Sequence, residues 1–112
     1  MGKMSSVTDN RIRYRVLEIL YEVAQDEDVS PWGLDRSSMQ GTLQVSERDM
    51  DANVMYLERK GLIRLTQASN VLWFRAKITS FGVDVFENKK RYEEDFPFVK
   101  AANPKRKTRS RK

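Results

Sequence analysis

The stretch from Val45 to Leu65, VSERDMDANVMYLERKGLIRL, constrains the fold more than any other part of the chain. Ser46 is a typical helix N-cap, and Asp49 stands three residues further on, as in a capping box. Beyond this cap the apolar residues recur at the spacing of one face of an amphipathic helix: Met50, Val54 and Leu57. The pattern predicts a short helix with one buried face.

The residues that follow predict where this helix ends and what succeeds it. Gly61 stands where a left-handed C′ residue would end the helix, directly after Arg59 and Lys60. From Leu62 to Leu65 the spacing changes from helical to alternating, which indicates a strand. A helix, a glycine turn and a strand are therefore expected in direct succession.

Composition excludes several kinds of chemistry. The chain has 112 residues, with 39% hydrophobic and 33% charged residues, which suits one soluble domain. Cysteine and histidine are absent, so disulfides, Cys/His zinc sites, thiol nucleophiles and histidine catalysis are excluded. The acidic runs at 26–28 and 93–95 are interpreted as solvated charge. We expect no enzyme activity, cofactor, metal, secretory signal or membrane segment, and a cytoplasmic location.

The net charge of +5 is unevenly distributed along the chain. Residues 1–99 contain 14 Lys and Arg and all 16 Asp and Glu, a balance of −2, whereas residues 100–112 contain seven cations and no acid. The sequence predicts a flexible N-terminus over 1–8, a folded domain over 9–96 and a basic, disordered tail over 97–112.

The remaining elements follow from spacing and capping residues. A first helix is expected from Thr8 or Asp9 to about Ala24, and a second from Leu34 to Thr42, capped near Asp35. Inward positions of the second helix are Leu34, Ser38 and Met39. The first helix carries two apolar stripes, so a second layer must cover it, either the C-terminal helix of the same chain or a partner subunit. One stripe is Ile12, Val16, Ile19, Leu20 and Val23, and the other is Tyr14, Leu17 and Tyr21.

A hairpin and a last helix complete the expected domain. The tip of the hairpin is predicted at 66–70 and its returning strand from Val71 to Ile78. Alternation places one set toward the core (Leu72, Phe74, Ala76 and Ile78) and the other toward solvent or a ligand (Val71, Trp73, Arg75 and Lys77). Thr79 or Ser80 would cap a helix to about Asp95, ended by Pro97, with an apolar stripe of Phe81, Val85, Tyr92 and Phe96.

This order of elements resembles the winged helix-turn-helix domain of small bacterial and archaeal transcription regulators of the multiple-antibiotic-resistance and PadR-like groups. The resemblance rests on Val45-Ser46, on the run from Val54 to Ile63, and on the run from Lys77 to Asp84 with its I-T-x-x-G step. It implies an α+β fold with three helices, a two-stranded antiparallel wing and a C-terminal helix. It also implies binding of double-stranded DNA and transcription regulation.

DNA contacts are expected in three regions, the first two implied by the resemblance and the third indicated by the cations of the tail. The recognition helix would offer Ser46, Arg48, Asp49, Ala52 and Tyr56, with Asp51 and Met55 also outward, although Glu47, Asp49 and Asp51 make its leading end acidic. The wing would offer Arg64, Arg75 and Lys77 to phosphates or the minor groove. The tail would bind polyanions without sequence preference through Lys105, Arg106, Lys107, Arg109 and Arg111.

A homodimer is expected, because aromatic stripes occur on the first and last helices and a two-fold arrangement would suit a palindromic site. The dimer candidates are Tyr14, Leu17, Tyr21, Phe81, Val85, Tyr92 and Phe96. The alternative function is a winged-helix module that binds a protein partner without base readout, through Ala52, Met55, Tyr56 and Trp73.

Overall fold

The computed structural model describes residues 2–26 and 33–101, with side chains described for 9–26 and 33–100. The chain is α+β, mostly helical with a small three-stranded antiparallel sheet. The elements in chain order are α1 (Gly2–Gln25), β1 (Leu34–Asp35), α2 (Arg36–Leu43), α3 (Glu47–Arg59), β2 (Ile63–Ala68), β3 (Val71–Ile78), α4 (Ser80–Glu87), α5 (Lys89–Tyr92) and α6 (Pro97–Ala101). None of the described helices is both long and apolar enough to cross a membrane.

The caps of α2 and α3 and the buried stripe predicted on either side of Val45 are confirmed. Asp35 accepts a hydrogen bond from the Ser38 backbone N–H at 3.1 Å and begins α2, while Ser46 accepts one from the Asp49 N–H at 3.1 Å and begins α3. Gln44, at φ +58°, makes the left-handed turn between the two helices. Met39, Met50, Val54 and Leu57 are fully buried, whereas Ser38, predicted to face inward, is exposed.

The sheet has one more strand than the sequence predicted. Leu34 was expected in a helix, but it pairs with Ala76 of β3, and Asp35 pairs with Arg75. Gly33 permits this pairing, since its φ is +97° and a Cβ there would lie 2.0 Å from the Ala76 carbonyl oxygen. The sheet order β1-β3-β2 therefore ties the start of the helix-turn-helix to the hairpin.

The second layer over α1 is provided by the same chain. Tyr14 and Leu17 are buried, and the ring of Phe86 on α4 lies 5.7 Å from that of Tyr14 and 4.6 Å from that of Tyr21. α1 also packs against α3, α6 and β3, so it runs through the centre of the described fold. Its first stripe is buried on the other side, apart from the half-buried Val23.

The helices at the two ends of the described chain differ from those predicted. α1 begins at Gly2, so the expected cap at Thr8 or Asp9 lies inside the helix, where Asp9 accepts a hydrogen bond from Asn53 Nδ2 at 3.1 Å. At the other end Pro97 begins a short helix instead of a tail, as its fixed φ suits the first helical position. Phe98 and Val99, which follow it, are fully buried, so the apolar pair belongs to the core.

The predicted last helix is divided into α4 and α5 at Asn88, whose backbone lies outside the helical region at φ −124° and ψ 50°. Thr79 caps α4 as predicted, accepting from the Gly82 N–H at 3.0 Å. The Thr79 hydroxyl also lies 2.7 Å from the Gly61 carbonyl oxygen and 3.0 Å from that of Leu62, to which it can donate. The T-x-x-G step thus joins the end of α3 to the start of α4.

Gly82 is required by close packing rather than by an unusual backbone angle. A Cβ at this position would lie 2.2 Å from the Leu62 carbonyl oxygen, whereas a Cβ at Gly41, in α2, would meet nothing within 4 Å. We predict that Gly82→Ala lowers the free energy of unfolding by about 1–3 kcal/mol through overpacking. The matched change Gly41→Ala should raise it by about 0.5–1 kcal/mol through helix propensity. Urea unfolding measures both, and equal effects of the two substitutions would contradict this packing.

Two tyrosine hydroxyls donate to carboxylates and predict a loss of stability in alkali. Tyr21 donates to Glu87 at 2.6 Å and Tyr92 donates to Asp84, and these hydrogen bonds, with smaller effects of burial and charge, raise both phenol pKa values above 10.0. The unfolded chain therefore loses its phenol protons first, so this contribution is complete below pH 10.0 and is lost as the pH rises through the folded pKa.

The double variant Tyr21→Phe with Tyr92→Phe removes this contribution. Its unfolding free energy should fall furthest below that of the wild type at neutral pH, and the gap should narrow in alkali. Urea unfolding at a series of pH values tests this, and a gap of constant size would contradict it.

Candidate nucleic-acid interface

The face of α3 opposite its buried stripe is cationic at both ends. Arg48, Ala52, Met55 and Arg59 follow one another at helical spacing, with Met55 half-buried and the other three exposed. No ion pair engages Arg48 or Arg59 within the described side chains. This outward stripe, which we call the α3 stripe, presents two guanidinium groups beside small and apolar side chains.

Arg36 pairs with two of the three carboxylates at the leading end of α3. Its guanidinium donates to Asp51 through Nη2 at 2.6 Å and through Nε at 3.3 Å, and to Glu47 through Nη1 at 3.4 Å. The bond to Asp51 is the main reason that the pKa of Arg36 is raised. Asp51 is therefore turned toward α2 and away from the outward position predicted for it. Asp49 remains exposed at the helix start, where the macrodipole favours a carboxylate.

Trp73 is buried, which corrects the predicted facing of β3. Its indole Nε1 donates to Asp51 Oδ1 at 2.8 Å, and its ring is fully enclosed, whereas Leu72 and Phe74 are 49% and 40% exposed. The cause is an irregular register, since Thr66 pairs with Arg75 but Ala68 pairs with Val71. More residues of β3 than of β2 lie between these two pairs. The side chains of β3 therefore do not alternate strictly between the two faces of the sheet there.

Tyr56 belongs to the packing of α3 rather than to its outward face. The guanidinium of Arg13 stacks 3.7 Å from the centre of its ring, and Phe98 meets the ring edge-on at 6.4 Å. Arg13 also donates through Nε to Asn53 Oδ1 at 2.8 Å, and Asn53 is only 1% exposed. These contacts fix α3 against α1 and α6, so Tyr56 is half-buried and packs between helices instead of standing free on the outward face.

The three cations predicted together on the β2–β3 hairpin do share one face of it. Arg64 pairs directly with Lys77, and Arg75 pairs with Thr66 two positions along. Arg64 and Lys77 are exposed and have no ion-pair partner among the described residues, while Arg75 is half-buried beside Asp35. Two like charges directly opposite each other weaken a strand pair unless an anion is bound.

The pKa of Asp35 reflects its two roles. Hydrogen bonds from Ser38 lower it most, and the nearby Arg75 lowers it further by a smaller amount. Asp35 is thus both the cap of α2 and the acidic neighbour of one wing cation. This acid partly offsets Arg75, which leaves Arg64 and Lys77 as the stronger anion-binding pair.

The dimer candidates are mostly interior. Tyr14, Leu17, Val85 and Phe96 are buried within the chain, so they offer no dimer surface in this conformation. Tyr21 and Tyr92 are half-buried and donate to carboxylates of α4. Phe81 alone in this set is exposed, at 41%. The chain covers most of these aromatic stripes with its own C-terminal helices, and homodimerisation stays a prediction.

The predicted tail contacts lie outside the described residues, which end at 101: Lys105, Arg106, Lys107, Arg109 and Arg111. Within the described part of the chain no group of three or more Asp, Glu, His or Cys residues is arranged to hold a metal ion.

No protein-family model matches the chain, and neither a curated protein nor a solved structure matches it. The chemistry of the surface itself therefore carries the functional argument.

Asp51 is predicted to be a structural carboxylate. Asp51→Ala leaves Arg36 without its closest partner and the buried indole N–H of Trp73 without an acceptor. We expect a loss of about 1–3 kcal/mol in the free energy of unfolding. Asp49→Ala, on the same helix but exposed, should cost at most about 1 kcal/mol. Chemical denaturation of both variants tests this, and an Asp51 loss no larger than that of Asp49 would show that the contact is not structural.

Proposed function

We propose that this chain is a winged helix-turn-helix protein that binds double-stranded DNA without enzymatic activity and regulates transcription. The observation that carries the proposal is the presence of two cationic surfaces without carboxylate partners among the described residues. One is the α3 stripe, and the other is the Arg64–Lys77 pair on the hairpin. The connection from α3 to β2, which contains Lys60 and Gly61, is short. Arg59 at the end of α3 is therefore close in sequence to Arg64 in β2.

The α3 stripe has the composition expected of a sparse base-reading helix. Arg48 and Arg59 can donate to guanine edges or phosphates, and Ala52 and Met55 can pack against thymine methyl groups. The contacts of Asp51 and Glu47 with Arg36 support this role, because they reduce the repulsion that free carboxylates would exert on phosphates. Ser46 lies at the helix start, where a phosphate can approach the exposed cap, whereas the exposed carboxylate of Asp49 suits a cytosine amino group.

The hairpin and the tail would supply affinity more than specificity. Arg64, Arg75 and Lys77 suit contacts with phosphate oxygens, which position a protein on DNA without reading sequence. The tail cations would add a salt-dependent attraction to any polyanion. Homodimerisation and a cytoplasmic location stay predictions. The oligomeric state should be measured together with the affinity for DNA.

The alternative, a protein-interaction module, loses part of its predicted surface. Trp73 is enclosed and Tyr56 is covered by Arg13, which leaves only Ala52 and the half-buried Met55 of the four residues proposed for it. That remaining surface is small and flanked by arginines. The charge distribution therefore favours a polyanion over an apolar protein partner.

Charge reversal tests the proposal directly. Arg64→Glu with Lys77→Glu should reduce the affinity for duplex DNA at low salt at least tenfold, because two phosphate contacts are replaced by repulsion. The control Lys90→Glu with Arg91→Glu makes the same change in net charge at exposed positions on α5 and should have a much smaller effect. Fluorescence anisotropy with the full chain measures both.

The salt dependence gives a second, independent readout. Arg64→Ala with Lys77→Ala should reduce the slope of log affinity against log salt by about 2, since each lost phosphate contact contributes about 0.9. A wild-type affinity for duplex DNA that did not fall as the salt concentration rose would contradict the proposal. So would equal losses from the hairpin and the α5 variants, since net charge alone would then explain the binding.

A further inference from the structure

The outer surface of the hairpin carries exposed apolar side chains as well as cations. Leu72 and Phe74 are 49% and 40% exposed, and Arg75 directly follows Phe74. The irregular register of β3 places Trp73 and Ala76 inside the core and leaves the two residues between them outside it. Phe74 and Arg75 are thus consecutive residues outside the core, one exposed and one half-buried, in the same strand as Lys77.

Contacts with phosphates alone would not require exposed apolar side chains on the hairpin. Exposed Leu and Phe side chains reduce solubility, and charged or polar residues are the usual choice on an exposed strand. A second copy of the chain is a poor occupant, because a two-fold contact through this surface would bring its cations, Arg64, Arg75 and Lys77, close to the same cluster on the other copy. A ligand that combines dense negative charge with flat apolar faces suits both features.

Building on the DNA binding proposed above, we propose that Phe74 stacks on an unpaired base where duplex DNA is opened. Leu72 packs beside the same base, and Arg64, Arg75 and Lys77 hold the neighbouring phosphates. Intact duplex buries the faces of its bases, so this contact requires a mismatch, a bubble or a kinked step. Apolar wedges and aromatic rings in other DNA-binding proteins contact opened or single-stranded bases in this way.

The test compares the full chain on an intact duplex and on the same duplex with a central mismatched bubble. The wild type should bind the bubble about tenfold or more tightly, the range expected for one stacked base. Phe74→Ala should lose this preference while keeping its affinity for the intact duplex, and Phe74→Trp should retain it. Phe74→Leu keeps apolar volume without an aromatic face and should also lose the preference, which guards against a variant that simply unfolds.

Phe81→Ala is the matched control, because Phe81 is 41% exposed but lies on α4. It should leave the preference for the bubble unchanged. Equal wild-type affinities for the two DNAs, or a preference that survives Phe74→Ala, would overturn the stacking contact while duplex binding still stood. Failure to bind either DNA at low salt would instead overturn the proposed function. A dimer that Phe74→Ala converts to monomer in sedimentation would assign the surface to a second copy and overturn the inference.

Discussion

The carboxylate of Asp51 is the contact on which the placement of α3 most depends. It accepts from the indole of Trp73 on β3 and from the guanidinium of Arg36 on α2, so one side chain joins three elements. Charge-assisted hydrogen bonds of this kind are stronger and more directional than neutral ones. They hold the helix-turn-helix in a fixed orientation to the hairpin, which sets the direction of the α3 stripe.

The same contact connects stability to surface chemistry. A carboxylate turned inward to Trp73 cannot repel a phosphate as strongly as one that projects from the helix. On the opposite side of α3, Asn53 performs a comparable task by bonding to Arg13, Asp9 and the Asp49 carbonyl oxygen. With polar contacts on both flanks of α3, its exposed outward residues Arg48, Ala52 and Arg59 are available to a ligand.

Local rules predicted a large part of the fold from sequence. The caps at Asp35, Ser46 and Thr79 and the bounds of β3 were confirmed, because each depends on residues within a few positions of one another. β1 was missed because two residues carry no periodicity and are recruited by pairing with β3. Pro97 was taken as the end of the domain, since the burial of the residues after it depends on tertiary contacts.

The site was less predictable, for the same physical reason. The placement of Arg64, Arg75 and Lys77 on one face of the hairpin followed from the alternation of strand residues and a short turn. The inward position of Trp73 did not, because it depends on an irregular strand register that no local pattern signals. Arg36 was overlooked because its partner Asp51 lies 15 residues away in a different helix. Long-range pairs such as this one decide which charges remain exposed, and therefore which surface can bind an anion.

DNA binding through α3 and the hairpin is tested most directly by an NMR titration of the ¹⁵N-labelled full chain with short duplex DNA. The largest chemical-shift changes should fall on the outward positions of α3 and on the β2–β3 hairpin, with smaller changes on α4 and α5. Changes confined to residues after 101, or spread evenly over the surface, would contradict it, because binding would then be due to net charge rather than to this arrangement of helix and hairpin.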